Sequence, residues 1–118
     1  MTTLYGIRNC DTIRKARRWL DENGIDYRFH DVRADGITRA DLRHWMQSLD
    51  WEDLLNRRGT TWRKLPEPVR NGINKTTATR IMLENPAIIK RPVLVCGDEL
   101  HLGFSADSYR SNFRIKAT

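Results

Sequence analysis

The chain has 118 residues and two cysteines, Cys10 and Cys96, and the first of them sits where a thiol becomes reactive. Cys10 lies between a short β-prone segment, Thr2-Thr3-Leu4-Tyr5-Gly6-Ile7, and an amphipathic helical segment that begins at Asp11. A cysteine at that junction faces the unpaired amide N–H groups of a helix start and the positive end of its dipole. Both stabilise a thiolate. Arg14, one helical turn on, adds positive potential, whereas the neighbouring carboxylate of Asp11 opposes it. In the run Cys10-Asp11-Thr12-Ile13, isoleucine stands where a resolving thiol would complete a local disulfide. The chemistry implied is therefore monothiol. Cys10 attacks an oxidised or electrophilic sulfur, and an outside thiol such as glutathione resolves the product. Cys96 closes the apolar run Val93-Leu94-Val95 and reads as a small core residue.

Pro92 is the second signal, standing between Arg91 and Val93-Leu94-Val95 at the start of an apolar strand. In a thioredoxin-like fold the strand facing the active-site cysteine begins with a cis proline. The Arg91-Pro92 bond is accordingly expected to be cis, against a general cis frequency of about 5–6% for X–Pro bonds. Arg91 then reaches the sulfur or an anionic group attached to it. His30, His44 and His101 show no ligand-like spacing with one another or with Cys10, so no metal site is expected. Gly59 alone makes a turn and not a phosphate loop. Trp19, Trp45, Trp51 and Trp62 read as packing residues.

The elements that position these residues follow from periodicity. Ile13, Ala16, Trp19 and Leu20 share one face of a helix over 11–22, stopped by Asn23-Gly24. The stretch 25–32 alternates around Tyr27 and Phe29 and predicts a strand, parallel to the first because a helix joins them. Thr38 and Asp41 form a capping-box-like pair at the head of a helix reaching Leu49, with a short helical turn over 51–55. The run 56–61 predicts a loop. A helical pattern resumes after Pro66 and Pro68, strongest over 76–83, and ends at Asn85-Pro86. A buried strand over 88–96, a Gly97-Asp98 hairpin, a return strand over 99–102 and a last helix over 106–113 complete the chain. The order β-α-β, helices, β-β-α predicts one α/β domain over 1–118. Its mixed, thioredoxin-like sheet has four strands, and a helical insert at about 38–87 separates the two halves.

Composition bounds the rest. A hydrophobic fraction of 39% with four Trp suits one packed core and excludes a disordered chain. No apolar run approaches the roughly 20 residues of a membrane span. The N-terminal residues lack the pattern of a secretory signal, and two distant cysteines do not make a disulfide scaffold. The expected location is the cytoplasm, with reduced thiols and no membrane association. The net charge of +6 is spread along the chain at Arg14-Lys15, Arg17-Arg18, Arg57-Arg58 and Lys90-Arg91. With no basic tail, zinc-ligand spacing or RNA-binding strand signature, it argues against nucleic acid as the partner.

Taken together, Tyr5-Gly6-Ile7 with Asn9-Cys10-Asp11-Thr12, Arg14-Lys15-Ala16, Phe29-His30-Asp31, Leu54-Leu55-Asn56-Arg57 with Gly59-Thr60-Thr61, Arg63-Lys64-Leu65, Ile89-Lys90-Arg91-Pro92-Val93 and Gly103-Phe104 carry a resemblance along nearly the whole chain. It resembles the arsenate reductase-related (ArsC/Spx) family, and most of all its YffB branch. The resemblance implies a nucleophile at Cys10, an arginine of the oxyanion-binding set at Arg91, and a cis proline at Pro92. Two of the three arginines of arsenate reductases proper fall here on Asn56, with Arg57 one residue on, and on or next to Phe104. Their histidine before the nucleophile is matched by Gly6, and the second cysteine usual in Spx-type regulators by Ile13. The implied activity is a glutathione-dependent thiol oxidoreductase, inefficient toward arsenate, with glutathione as co-substrate and no bound cofactor. Cys10 and Arg91 would be catalytic, and Asn9, Thr12, Arg14, Arg57 and Pro92 would bind substrate or glutathione. The alternative is an Spx-like regulator docking an acidic partner such as RNA polymerase.

Overall fold

The computed structural model describes residues 2–113. In chain order the elements are β1 (Thr2–Gly6), α1 (Asp11–Glu22), β2 (Arg28–Asp31), α2 (Val32–Asp35), α3 (Arg39–Trp45), α4 (Trp51–Leu54), α5 (Thr60–Arg63), α6 (Glu67–Asn71) and α7 (Lys75–Glu84). A 3-10 turn (Pro86–Ile88), β3 (Val93–Cys96), β4 (Glu99–Leu102) and α8 (Ala106–Asn112) follow. The chain divides into two compact units, one formed by residues up to Asp31 together with those from Arg91 onward, the other by Val32–Lys90.

The first unit carries a mixed four-stranded sheet in the order β2-β1-β3-β4. β1 pairs parallel with β2, Leu4 opposite Phe29, and antiparallel with β3, Leu4 opposite Leu94. β3 pairs antiparallel with β4. The parallel pair follows from the α1 crossover, and the hairpin from Gly97, whose φ of 60° suits a two-residue turn. This is the thioredoxin-like arrangement expected from the order of elements. Leu4, Ala16, Leu20, Leu94 and Tyr109 are fully buried and, with Trp19, form the core. Tyr109 meets Trp19 and Phe104 edge-on, at ring-centroid distances of 5.6 and 4.7 Å.

α1 buries the predicted face, Ile13, Ala16, Trp19 and Leu20. It ends in a Schellman motif: the N–H of Ile25 donates to the carbonyl of Leu20 at 3.0 Å and that of Gly24 to Asp21 at 3.2 Å, with Gly24 at a φ of 65°. That motif commits Ile25 to the end of the helix. The second strand therefore starts only at Arg28, three residues later than predicted, and Val32 begins α2 and does not end the strand.

The second unit is helical from Val32 to the 3-10 turn. α3 opens on the predicted Thr38–Asp41 capping box, and α7 on an equivalent Asn74–Thr77 box that its sequence pattern had not signalled. Three further expectations shift. The helix from Thr38 stops at Trp45, where Gln47 and Ser48 donate to carbonyls three residues back and tighten the chain into turns. The loop over 56–61 gives way to α5 at Thr60. The strand predicted over 88–96 begins only at Val93, because Asn56 donates to Ile88 and Lys90 to Leu54, both at 2.8 Å, which holds residues 88–90 against α4. Pro92, without an N–H, cannot extend the ladder backward. The last helix ends at Asn112, with Phe113 as its C-cap.

One contact ties β1 to α1. A Cβ added at Gly6 would meet the Cδ1 and Cγ1 atoms of Ile13, the latter at 2.8 Å, and Ile13 is fully buried. Gly6→Ala should therefore destabilise the fold by about 1–3 kcal/mol through overpacking. Ile13→Val, which removes Cδ1, should recover part of that loss in the double variant. Urea unfolding of the four proteins measures the coupling, and an unchanged midpoint for Gly6→Ala would disprove the tight contact.

Candidate active site

Cys10 is the N-cap of α1, with φ −128° and ψ 126°, and its carbonyl accepts the first helical hydrogen bond, from Arg14 N–H at 2.9 Å. An N-cap side chain ordinarily takes hydrogen bonds from the second and third helical amides. Here those belong to Thr12 and Ile13. The thiol is half-buried. It makes no capping hydrogen bond of ordinary geometry, yet both amides face the sulfur closely enough to act on its charge. Burial pushes the thiol up, but the combined pull of the Ile13 N–H, a hydrogen bond from Arg91, the Thr12 N–H and the Arg91 charge is larger. The result is a Cys10 pKa below that of an ordinary thiol.

Arg91 reaches the sulfur from the residues that lead into β3, as the sequence pattern predicts. The Arg91-Pro92 bond is cis. Pro92 is buried, and its carbonyl accepts from the Gly103 N–H at 2.9 Å, which fastens it to the end of β4. The loop before Cys10 is fixed from another side. The Arg8 N–H donates to the buried carboxylate of Asp31 at 3.2 Å, while the Arg17 guanidinium lies over Phe29 at 4.3 Å and donates to the Tyr27 hydroxyl at 3.0 Å.

Arg14 and Asp11 pair with each other at the exposed surface. The cation that lowers the thiol is Arg91, distant in sequence. Asn9 and Thr12 are both exposed beside the thiol. Cys96 is the contrasting case. Burial pushes it up, a 3.9 Å hydrogen bond from the Thr2 hydroxyl pulls the other way, and the charge of Glu99 adds to the rise.

Arg57 belongs to the second unit. Its guanidinium lies 5.4 Å from the Trp62 ring and 5.9 Å from Trp51, and 3.8 Å from the Glu52 carboxylate. It shares a groove of about 350 Å³ with Asn56, Arg58 and Lys90. Trp62, predicted to pack, is half-buried and carries this cation on its face. Asn56 closes a turn as well as lining this groove: its side-chain oxygen accepts from the Arg58 N–H at 3.0 Å. Among the described residues, no group of three His, Cys, Asp or Glu is placed to hold a metal ion.

Sequence reasoning missed the Ile13 amide as the main opponent of burial at the thiol. Counting three residues from an N-cap finds it. The contact between Gly6 and Ile13 had no sequence signal beyond the two residue types.

The mixed sheet thus presents a half-buried thiol at a helix N-cap, beside an arginine that precedes a cis proline, in a thioredoxin-like fold. The chain belongs to the ArsC family, whose pattern matches residues 5–112. A solved structure described as the YffB protein is 46% identical, with a TM-score of 0.89 over 94% of this chain and 97% of that one. An arsenate reductase (ArsC) related protein from Brucella melitensis, also 46% identical, has a TM-score of 0.76 over 97% of this chain and 95% of its own. The global transcriptional regulator Spx 1 of Lactococcus lactis is 28% identical over 94% of this chain and 88% of its own.

The two cysteines should separate in reactivity. Cys10 should be alkylated faster than Cys96 at neutral pH, since the thiolate reacts and each unit of pKa depression enlarges its fraction about tenfold. Cys10 labelling should rise with pH at a midpoint below that of a free thiol. Arg91→Ala should move that midpoint upward. Mass-resolved labelling kinetics on the folded protein check both, and faster labelling of Cys96 would refute the electrostatic account.

Proposed function

We propose that this chain is a glutathione-dependent monothiol oxidoreductase of the arsenate reductase-like type, working in the cytoplasm. The observation that carries the reading is the lowered Cys10 thiol held between the α1 amides and Arg91. The Cys10 thiolate attacks the glutathione sulfur of a mixed disulfide. A Cys10–glutathione disulfide forms, and the substrate thiolate leaves and takes a proton from solvent. A glutathione thiolate then attacks the glutathione sulfur of that disulfide, which yields oxidised glutathione and restores the Cys10 thiolate. Overall, one glutathione thiol and the substrate–glutathione mixed disulfide become the free substrate thiol and oxidised glutathione, so one disulfide is exchanged for another and the substrate sulfur is reduced. No bound cofactor enters the cycle.

Arg91 stabilises the thiolate both as attacking and as leaving group, and Thr12 contributes its amide. Asn9, Arg14, Arg57 and Pro92 are proposed to bind glutathione or substrate. Arg14 exchanges its exposed Asp11 partner for a glutathione carboxylate at small cost, since a pair at the water surface is weak. Among the described residues no helix is long and apolar enough to cross a membrane.

A second reading rests on the likeness to Spx 1. In it the chain is a regulator that docks an acidic partner such as RNA polymerase, and Cys10 is not turned over. Incubation with oxidised glutathione followed by mass spectrometry separates the two. The oxidoreductase gains one glutathione on Cys10, loses it on adding reduced glutathione, and gains none as Cys10→Ser. Failure of wild-type Cys10 to form the adduct would end the enzymatic reading.

Arsenate should be a poor substrate. Asn56 is committed to a turn and Phe104 to the ring of Tyr109, so neither position offers a guanidinium. Each missing charge-assisted hydrogen bond costs about 1.5–3 kcal/mol. Two together lower oxyanion stabilisation by about two to four orders of magnitude. Arsenate turnover with glutathione and glutaredoxin at the rate of a dedicated reductase would contradict this.

A further inference from the structure

Between α3 and α7 in the helical unit lies a groove of about 380 Å³ lined by Arg39, Arg43, Met46, Gln47, Lys75 and Thr79. We propose that it binds a small molecule carrying two or more linked phosphate groups. Three of its six lining side chains are cations and none is acidic. Among the described residues, Arg39, Arg43 and Lys75 make no ion pair, whereas Arg14, Arg57, Arg80 and Arg110 each have a carboxylate partner.

The one acid on each of these two helices is engaged with another partner. Asp41 accepts from the Thr38 N–H at 3.0 Å as half of the α3 capping box. Glu84, on α7, pairs with Arg80 at 3.7 Å. Lys75 is moreover the first residue of the ten-residue α7, where a cation meets the positive end of the backbone dipole. That placement is unfavourable by itself and is relieved by an anion.

The groove selects the class of ligand by size and chemistry. Its volume is that of a small-molecule pocket. Arg39 and Arg43, four residues apart on α3, share one helix face, and two guanidinium forks suit phosphate oxygens. Gln47 and Thr79 supply neutral hydrogen-bonding groups for the linker or a hydroxyl, and Met46 an apolar patch. None of these residues belongs to the proposed thiol chemistry, so the site is independent of it.

Titration calorimetry with inorganic tripolyphosphate tests the proposal on the full chain. One-to-one binding that weakens with salt is expected, and Arg39→Gln with Lys75→Gln should reduce it by at least about tenfold. The Arg57→Gln/Arg58→Gln pair, in the other basic groove, should leave it unchanged. A nucleoside triphosphate that binds more tightly than tripolyphosphate would identify a phosphorylated metabolite; equal or weaker binding would identify a bare phosphate chain. Circular dichroism confirms that each variant is folded, and Arg43→Gln alone gives a milder substitution if the pair is not. No binding at millimolar tripolyphosphate, or binding that survives these changes, overturns the proposal. So does binding of an acidic peptide or of duplex DNA that tripolyphosphate does not displace.

Discussion

A thiolate in a half-buried position is unfavourable unless fixed donors surround it, and at Cys10 those donors come from two distant parts of the chain. The amides of Thr12 and Ile13 belong to α1 and are aimed by helix geometry alone. Arg91 arrives from the other end of the sequence, carried by the pairing of β1 with β3. The first contribution is permanent once α1 forms, because backbone amides cannot rotate away. The second exists only when the sheet is assembled. The electrostatics of the thiol thus report directly on the central strand pair of the sheet.

The residues leading into the thiol are tightly packed. Gly6, at the end of β1, has no room for a Cβ, since the buried Ile13 side chain fills the space above it. Gly6 and Ile13, the latter three residues after Cys10, are therefore one packing unit. Asn56 and Phe104 are comparable. One closes a turn by accepting the Arg58 N–H, and the other buries its ring against Tyr109. Both are structural side chains, and Arg91 is the cation that acts on the sulfur.

Charges close in sequence matter less than their proximity suggests. Arg14 and Asp11 neutralise each other at the surface, as do Arg110 and Asp107 at 2.8 Å. An exposed pair three residues apart screens itself, and water screens the remainder. Arg91 at the thiol and Arg39, Arg43 and Lys75 along α3 and α7 keep more of their field.

Several features were legible from residue types alone. The helical face of Ile13, Ala16, Trp19 and Leu20, the Gly24 stop, the Thr38–Asp41 cap and the Gly97 hairpin are local, each set by interactions within a few residues. The parallel pairing of β1 with β2 followed because a helical crossover allows little else. The position of Cys10 at a helix start was likewise a local fact. What the tertiary structure decided is long-range. Residues 88–90 pair with α4 and not within a strand, and the pairing of β1 with β3 is what carries Arg91 to the Cys10 thiol that the sequence pattern could only suggest. Each of these outcomes depends on which partner a backbone or side chain finds after the chain has folded, and a one-dimensional pattern carries no distances between distant residues.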